Sequence, residues 1–312
     1  MYTFQDKKGR YISLRPEGTA GIARAYVENK MYGLPEKLQK VYYMGPMFRY
    51  ERPQNGRQRQ FHQFGIEALG SDEPSIDAEV ISLAVQFFNE VGLKDLSVNI
   101  NSVGCPHCRE EYNKNLKAYL DAKSDVLCET CLERKDKNPM RVIDCKNPHC
   151  KENLQDIPFM IDHLCEDCKD HFDKLQTYLK EMDINYVVDK TIVRGLDYYK
   201  KTAFEIISND IGSQSTVCGG GRYDGLVEML GGPKGISGIG FALGAERLLL
   251  TLENNNIEIE NPKSTDIYIA TIGDAAKTKS FKLIKDLRTN HISADNDHLD
   301  KSLKAQFKYS DK

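Results

Sequence analysis

Two runs of alternating apolar residues, VYYMGPMFRY (41–50) and FHQFGIEALG (61–70), flank the polar stretch ERPQNGRQRQ. No other pattern constrains the chain as much. Period-two alternation around a segment bearing Pro, Asn and Gly predicts two antiparallel strands joined by a hairpin. Successive side chains of a strand point to opposite faces. Gln63, Gly65 and Glu67 therefore share one face, and Phe64, Ile66 and Ala68 the other. On the first strand, Arg49 shares a face with Met47 and Gly45. One side of the sheet is thus greasy and packed. The other is polar and holds a glycine, where something can approach the backbone closely.

Four arginines, Arg49, Arg52, Arg57 and Arg59, crowd this hairpin in a chain whose formal charge is −3. The overall charge does not announce a nucleic-acid binder, so such a contact must come from a local patch. Arg49 stands where a strand enters the loop, and its planar fork suits a phosphate or a carboxylate. Arg52, Gln54, Arg57 and Arg59 are then placed for a longer polyanion. The plainer alternative is a solvated, charged hairpin. Gln63 and Glu67 beside Arg49 weigh against it, because they would flank a small zwitterionic ligand.

The 312 residues predict two or three domains. No apolar run approaches the roughly 18 residues that a membrane span needs. The start, MYTFQDKKGRYISLRPEGTA, has no charged-then-apolar leader, so a cytoplasmic protein is expected. After the hairpin a helix is predicted from its apolar spacing (Ile76, Val80, Leu83, Ala84, Phe87, Phe88, Val91), with Ser75 as N-cap and Gly92 as the stop. LSVNINSVG (96–104) reads as a strand. From Cys105 to about Cys168 the composition shifts to Cys, Asn, Lys and Glu, as in a small inserted domain with little apolar content of its own. A helical stretch (169–182) and the strand-like NYVVD lead back to RGLDYYKKTAFEIIS. CGGGRYDGLVEML (218–230) reads as a glycine-rich turn feeding a helix, and GISGIGFALGAERLLLTLE (235–253) as a glycine-rich strand and then a helix. TDIYIATIGD and the lysine-rich stretch after it look like the first strand and helix of an α/β domain. The abrupt start, and an end at Lys312 before that sheet can close, make the chain read as a fragment.

Eight of the nine cysteines lie between positions 105 and 168. Clustered cysteines in a chain without a leader favour metal or redox roles over disulfides. Cys105/Cys108, Cys128/Cys131, Cys145/Cys150 and Cys165/Cys168 form four close pairs, hooks that suit tetrahedral zinc at two hooks per ion. No thioredoxin-like context surrounds them. Reduced thiols without function are the remaining alternative. A small segment poor in apolar residues often needs a staple, so one or two structural zinc ions are expected. Sequence order suggests 105/108 with 128/131, and 145/150 with 165/168. Cys218 stands apart and reads as a packed residue.

LRPEGTA (14–20), FRYERPQNGRQRQFHQFGIE (48–67), RGLDYY (194–199), CGGGRYDGL (218–226) and GIGFALGAERL (238–248) together resemble, in this order, the histidyl-tRNA synthetases, class II aminoacyl-tRNA synthetases of the bacterial type. The resemblance spans nearly the whole chain. It implies an α+β fold, an antiparallel sheet flanked by helices. The catalytic core would occupy 1–104 and 186–255, the insertion 105–185, and a linker with a partial anticodon-binding domain 256–312. It implies ATP with Mg²⁺, L-histidine and tRNA(His) as reactants, no membrane, and a homodimer for the full-length chain. By position, Arg49, Gln63 and Arg194 carry the catalytic roles. Glu17, Gly18, Thr19, Gln63, Glu67, Tyr198 and Tyr199, with Arg49 and Arg194, bind histidine. Arg49, Glu51, Arg194 and Arg247 serve ATP, and Arg52 and Gln54 meet the tRNA acceptor end. Among these, Glu17, Thr19 and Gln63 match groups on the α-amine, while Glu67 and Tyr199 match groups that read the imidazole. The family's dimer-forming motif 1, expected ahead of LRPEGTA, is absent.

Two rivals remain at this point. One is the non-catalytic paralogue that regulates ATP phosphoribosyltransferase, which tends to lose blocks such as RGLDYY. The other is a zinc-stapled nucleic-acid-binding module, which would predict a basic insertion. The intact RGLDYY and GGGRYDG blocks argue against the first, and the mixed charges of 105–168 against the second.

Overall fold

A computed structural model describes residues 1–54, 56–193, 198–208, 216–259 and 265–311. The chain divides into two compact units, Met1–Ile257 and Glu258–Lys312.

The first unit opens with a short antiparallel pair, β1 (Thr3–Gln5) and β2 (Tyr11–Ser13), followed by helix α1 (Thr19–Glu28). The predicted hairpin is β3 (Gln39–Phe48) and β4 (Gln60–Leu69), paired antiparallel over their full length. Then come α2 (Pro74–Glu90), β5 (Leu96–Ser102), α3 (Pro106–Ala122), α4 (Glu129–Lys137), α5 (Pro148–Asn153), α6 (Glu166–Glu181) and β6 (Val187–Val188). The unit ends with β7 (Lys200–Ser208), β8 (Thr216–Arg222), α7 (Leu226–Met229), β9 (Gly238–Gly244) and α8 (Ala245–Asn254). Seven strands make one sheet in the order β3-β4-β9-β8-β7-β5-β6. Its neighbours run antiparallel except β5 and β6. Pro46, which has no N–H to give, sits in β3 at the sheet edge, where such a residue is tolerated.

Register decides what each face carries. Ile66 pairs with Phe241, Phe241 with Gly220, Gly220 with Phe204 and Phe204 with Ile100. This greasy face packs on α2, α6 and α8 in one cluster with Ile81, Phe88, Phe172, Leu175, Leu179 and Leu252. The opposite face carries small or polar groups. Gln63, Gly65 and Glu67 stand beside Gly244, Ala242 and Gly240, and the last two beside Gly219 and Gly221.

Two local expectations are corrected and one holds. The helix after the hairpin begins at Pro74, with Glu73 rather than Ser75 at the N-cap, because proline's fixed φ and missing N–H suit the first helical position. Gly92 does terminate it, in the left-handed region at φ 92°. The run from Cys218 to Arg222 is the C-terminal part of strand β8, not a turn. Glycine is required there by crowding: a Cβ on Gly220 would fall 2.4 Å from the Gly240 carbonyl oxygen and 2.5 Å from the Phe204 ring.

The cysteine-rich segment also has more core than its composition promised. Tyr112, Leu116, Leu120, Val142 and Met160 are buried with Cys108, Cys131, Cys145, Cys150 and Cys168 in a second cluster. Its last helix, α6, joins the main core through Phe172, Leu175 and Leu179.

The second unit, taken by itself, is β10 (Ile267–Ile269), α9 (Gly273–Thr289), β11 (Ala294–Asn296) and α10 (Leu303–Ser310). β10 and β11 pair in parallel across the α9 connection. Gln306 ties α10 to the end of β10, donating to the Thr271 carbonyl at 2.9 Å and accepting from the Thr271 N–H at 2.9 Å.

Candidate active site

The polar face of the sheet is the floor of a cavity of about 250 Å³. Its depth comes from side chains that are missing. Gly219, Ala242 and Gly244 line it, and strands of ordinary composition would fill it.

One group of lining residues gathers at the start of α1. Glu17 accepts from the Thr19 N–H at 2.6 Å and the Ala20 N–H at 3.1 Å, holding its carboxylate at the helix N-terminus, where the dipole favours it. Tyr198 donates its hydroxyl to the same carboxylate at 3.5 Å. The Tyr198 and Tyr199 rings meet at 4.8 Å between centroids, tilted 43° to each other, and both line the cavity. Gln63 is 8% exposed, and its buried Oε1 has no protein partner. A buried amide oxygen left open in a lined cavity suits a donor from a bound ligand.

The other group is cationic. The Arg49 Nε donates to the Pro16 carbonyl at 2.8 Å, and its guanidinium lies 4.9 Å from the Phe61 ring centre. Arg247 donates to the Thr216 carbonyl at 2.6 Å and the Gly56 carbonyl at 3.0 Å. Burial, then the charges of Arg57 and Arg49, push the Arg247 guanidinium below its ordinary pKa. Arg49, Arg57 and Arg247 bring three guanidiniums to one hollow, where Glu51 pairs with Arg57 at 3.2 Å and the carboxylates of Glu17 and Glu246 also line the wall.

Several residues bear on this geometry although sequence spacing does not single them out. Tyr43 lies flat over the floor: a Cβ on Gly65 would sit 2.4 Å from its ring, and one on Gly18 2.1 Å. Burial and then the Glu67 charge push its phenol well above the ordinary value. Tyr223 donates to Glu67 Oε2 at 2.7 Å, and Thr19 donates to Oε1 at 2.6 Å. Glu67 is 1% exposed, and burial pushes its carboxyl up to about 8. It lies under the cavity wall behind Thr19 rather than on the lining. Glu246 lines the hollow and accepts from the His62 N–H at 2.9 Å. The alternation of β3 places Tyr43 on the face of Gly45 and Met47; with the register to Gly65, that was the available signal.

The other expected positions fall as follows. Gly18 lies beneath Tyr43, and Glu51 lines the cavity. Arg52 and Gln54 are exposed in the β3–β4 connection and do not line it. Arg194 lies outside the described residues. The Arg of GGGRYDG, Arg222, points away from the cavity and is fully buried against Asp77, which also accepts from Thr202 at 2.5 Å and lies 2.8 Å from His171. Burial works to raise the Asp77 carboxyl, but His171 and Arg222 outweigh it and hold it below its ordinary value.

The cysteines form two groups of four: Cys105, Cys108, Cys165 and Cys168, and Cys128, Cys131, Cys145 and Cys150. This corrects the pairing by sequence order. The chain leaves the sheet after β5 and returns through α6, so the first and last hooks meet at the neck of the insertion and the middle two meet beyond it.

A family model described as histidyl-tRNA synthetase matches residues 1–248. The histidine–tRNA ligase of Clostridioides difficile (strain 630) is 76% identical over 312 residues, which cover this whole chain and 74% of that protein. That of Acetivibrio thermocellus is 54% identical over the same shares of the two chains. Among solved structures, apo histidyl-tRNA synthetase from S. aureus matches at a TM-score of 0.82 and 43% identity, over all of this chain and 75% of that one. A Bacillus halodurans chain titled ATP phosphoribosyltransferase regulatory subunit/histidyl-tRNA synthetase matches at a TM-score of 0.63 and 21% identity, over 99% of this chain and 80% of that one, a likeness of fold alone.

Proposed function

This chain belongs to the histidyl-tRNA synthetase family, and we propose that its cavity activates L-histidine with ATP and passes the histidyl group to tRNA(His). It is a histidine–tRNA ligase, an aminoacyl-tRNA synthetase. In the first step a carboxylate oxygen of histidine attacks the α-phosphorus of ATP. An O–P bond forms, and the bond to pyrophosphate breaks. In the second, the terminal ribose hydroxyl of the tRNA attacks the carbonyl carbon and AMP leaves.

We assign the residue roles by chemistry. Arg49 grips the α-phosphate and the attacking carboxylate, where negative charge gathers in the transition state. Arg247, fixed by two backbone carbonyls, faces the nucleotide with Glu51 nearby. Glu17, Thr19 and Gln63 receive the α-ammonium, and the open Gln63 Oε1 suits one of its protons. Tyr199 reads the imidazole, and Glu67, given that role by its family position, acts on the pocket from behind through Thr19, which donates to it. Gly18 leaves room for Tyr43, which closes this end. Arg194 belongs across the α-phosphate by its family position. Arg52 and Gln54, exposed on the hairpin, are the candidates for the tRNA acceptor end. ATP enters as its Mg²⁺ complex, in which the cation offsets charge on the departing pyrophosphate. The eight clustered cysteines do not line this cavity, and the metal they suit is structural zinc. Among the described residues no helix is long and apolar enough to cross a membrane. A cytoplasmic homodimer for the full-length protein goes with this reading.

The observation that carries it is the meeting of Arg49, Arg57 and Arg247 with Glu17, Thr19, Gln63, Tyr198 and Tyr199 around one hollow. The test is ATP–pyrophosphate exchange with each of the twenty amino acids. Histidine alone should support exchange, and Arg49→Ala should slow it by about 100-fold or more, the range for removing a fixed transition-state donor. Exchange driven by another amino acid, or an Arg49→Ala protein of normal rate, would overturn the assignment.

A further inference from the structure

The two cysteine groups have the dimensions of metal sites. Within each, all four sulfurs lie within 4.8 Å of one another. Cys105 Sγ is 3.6 Å from Cys108 Sγ and 3.9 Å from Cys165 Sγ, and Cys128 Sγ is 3.9 Å from Cys145 Sγ. Ligands at about 2.3 Å from a tetrahedral zinc ion stand about 3.8 Å apart along each edge. A disulfide would need about 2.05 Å, and an iron–sulfur cluster would spread its cysteines over several irons. The spacing therefore fits one ion in each group. Backbone N–H groups already point at the sulfurs: Cys165 N–H donates to Cys108 Sγ at 3.2 Å, and Cys128 N–H to Cys150 Sγ at 3.1 Å. Such donors favour the thiolate that a metal takes.

The two groups differ in what they reach. The one holding Cys128, Cys131, Cys145 and Cys150 joins α4 to the start of α5, with nearby donors and acceptors (Val126, Asn147) inside the insertion. The neck group joins the residue after the β5 exit to the start of α6 and fixes the N-terminus of α3. The residue after Cys108 is Arg109. Its Nε donates to the Val103 carbonyl at 2.8 Å, and its Nη2 to the Tyr199 carbonyl at 2.5 Å. Tyr199 walls the cavity.

We propose that the eight cysteines hold two structural zinc ions, one per group, and that the neck ion positions the wall of the amino-acid pocket through Arg109 and the Tyr199 backbone. Arg109 is then a positioning residue, and its planar fork is what lets it span two carbonyls from neighbouring segments. The positioning of a histidine pocket rests on the function proposed above; the metal content does not.

Three readings test it on the purified chain with thiols kept reduced. Elemental analysis should find two zinc equivalents. Cys108→Ser with Cys168→Ser should keep one, and Cys131→Ser with Cys150→Ser should keep the other. Amide exchange at 198–203 should quicken in the neck variant and hold its wild-type rate in the distal one, because local opening follows the loss of local ties. Histidine affinity should fall about tenfold in the neck variant alone, the size of one lost charge-assisted hydrogen bond. Arg109→Lys guards against a neck variant that merely unfolds: it should keep both zinc ions and still show the faster exchange and weaker histidine binding. Iron in place of zinc, or no metal, overturns the two-zinc assignment. Equal effects of the two cysteine variants, or normal exchange in Arg109→Lys, overturn the positioning role. A wild-type chain that holds two zinc ions but ignores histidine would instead sink the proposed function.

Discussion

Replacing Glu67 by glutamine isolates the most unusual charge in the protein. The carboxyl is 1% exposed, bonded to Thr19 and Tyr223, and burial raises its pKa to about 8 from an ordinary 4.5. A folded-state pKa above the unfolded one means that the native protein holds an extra proton between those values. Its contribution to stability is fully present below the unfolded pKa and is lost as pH climbs through the folded one. With pKa values of 4.5 and about 8, the loss between pH 5 and 7.5 is about 3 kcal/mol at 1.36 kcal/mol per pKa unit. Glutamine has the same shape, asks one of its two hydroxyl partners to accept rather than donate, as the protonated acid does, and cannot ionise. The wild type should therefore lose about 3 kcal/mol against Glu67→Gln over that range. Urea denaturation followed by far-ultraviolet circular dichroism at a series of pH values measures it. All other titrating groups are shared and cancel in the difference. Stability curves that run parallel from pH 5 to 7.5 would show that Glu67 is ionised in the folded state and refute the burial argument.

Other perturbations read other parts of the structure. Arg222→Met leaves Asp77 fully buried with only His171 and Thr202, and should destabilise by about 3–5 kcal/mol; a loss under about 1 kcal/mol in denaturant melts would mean the ion pair is not what ties α2 to β8. Gly240→Ala puts a Cβ 1.9 Å from Glu67 Oε2 and 2.3 Å from the Ile66 carbonyl oxygen, so overpacking should cost about 1–3 kcal/mol; an unchanged melting temperature would show a looser floor. Arg247→Ala removes a half-buried cation from the nucleotide side and should weaken ATP binding by roughly 1.5–3 kcal/mol while histidine affinity holds, and calorimetric titration of the two ligands in turn would expose an equal loss of both.

What the sequence could say followed from how far apart the interacting residues lie along it. The two faces of β4 were legible because alternation is a local property. The role of Tyr43 was not, because it depends on which residues of β4 and α1 come to lie under the ring, and those are Gly65 and Gly18. Cys218–Arg222 looked like a turn for the same reason. Glycine runs are frequent in turns, and nothing local announces that the Gly240 carbonyl and Phe204 will press on Gly220. Tyr223 and Arg222 are adjacent, yet one bonds Glu67 under the pocket and the other Asp77 under the helical layer. The GGGRYDG block thus clamps two layers through Tyr223 and Arg222 while its first glycine, Gly219, lines the cavity, a division that only sheet register makes.

The cysteine hooks were legible as hooks but not in their pairing, and topology explains why. An insertion that leaves a sheet and returns to it must bring its two ends together, so its outermost hooks meet whatever lies between them. Closing that neck costs chain entropy, which grows only slowly with the length enclosed. A staple placed there fixes the start of α3 and the start of α6 at once, and with α3 the guanidinium that reaches the Tyr199 carbonyl. A staple farther out could order the insertion without touching the pocket. The same four hooks paired in sequence order would therefore hold a folded insertion on an unfixed neck, and the segment before β7 would lose the tie that Arg109 provides.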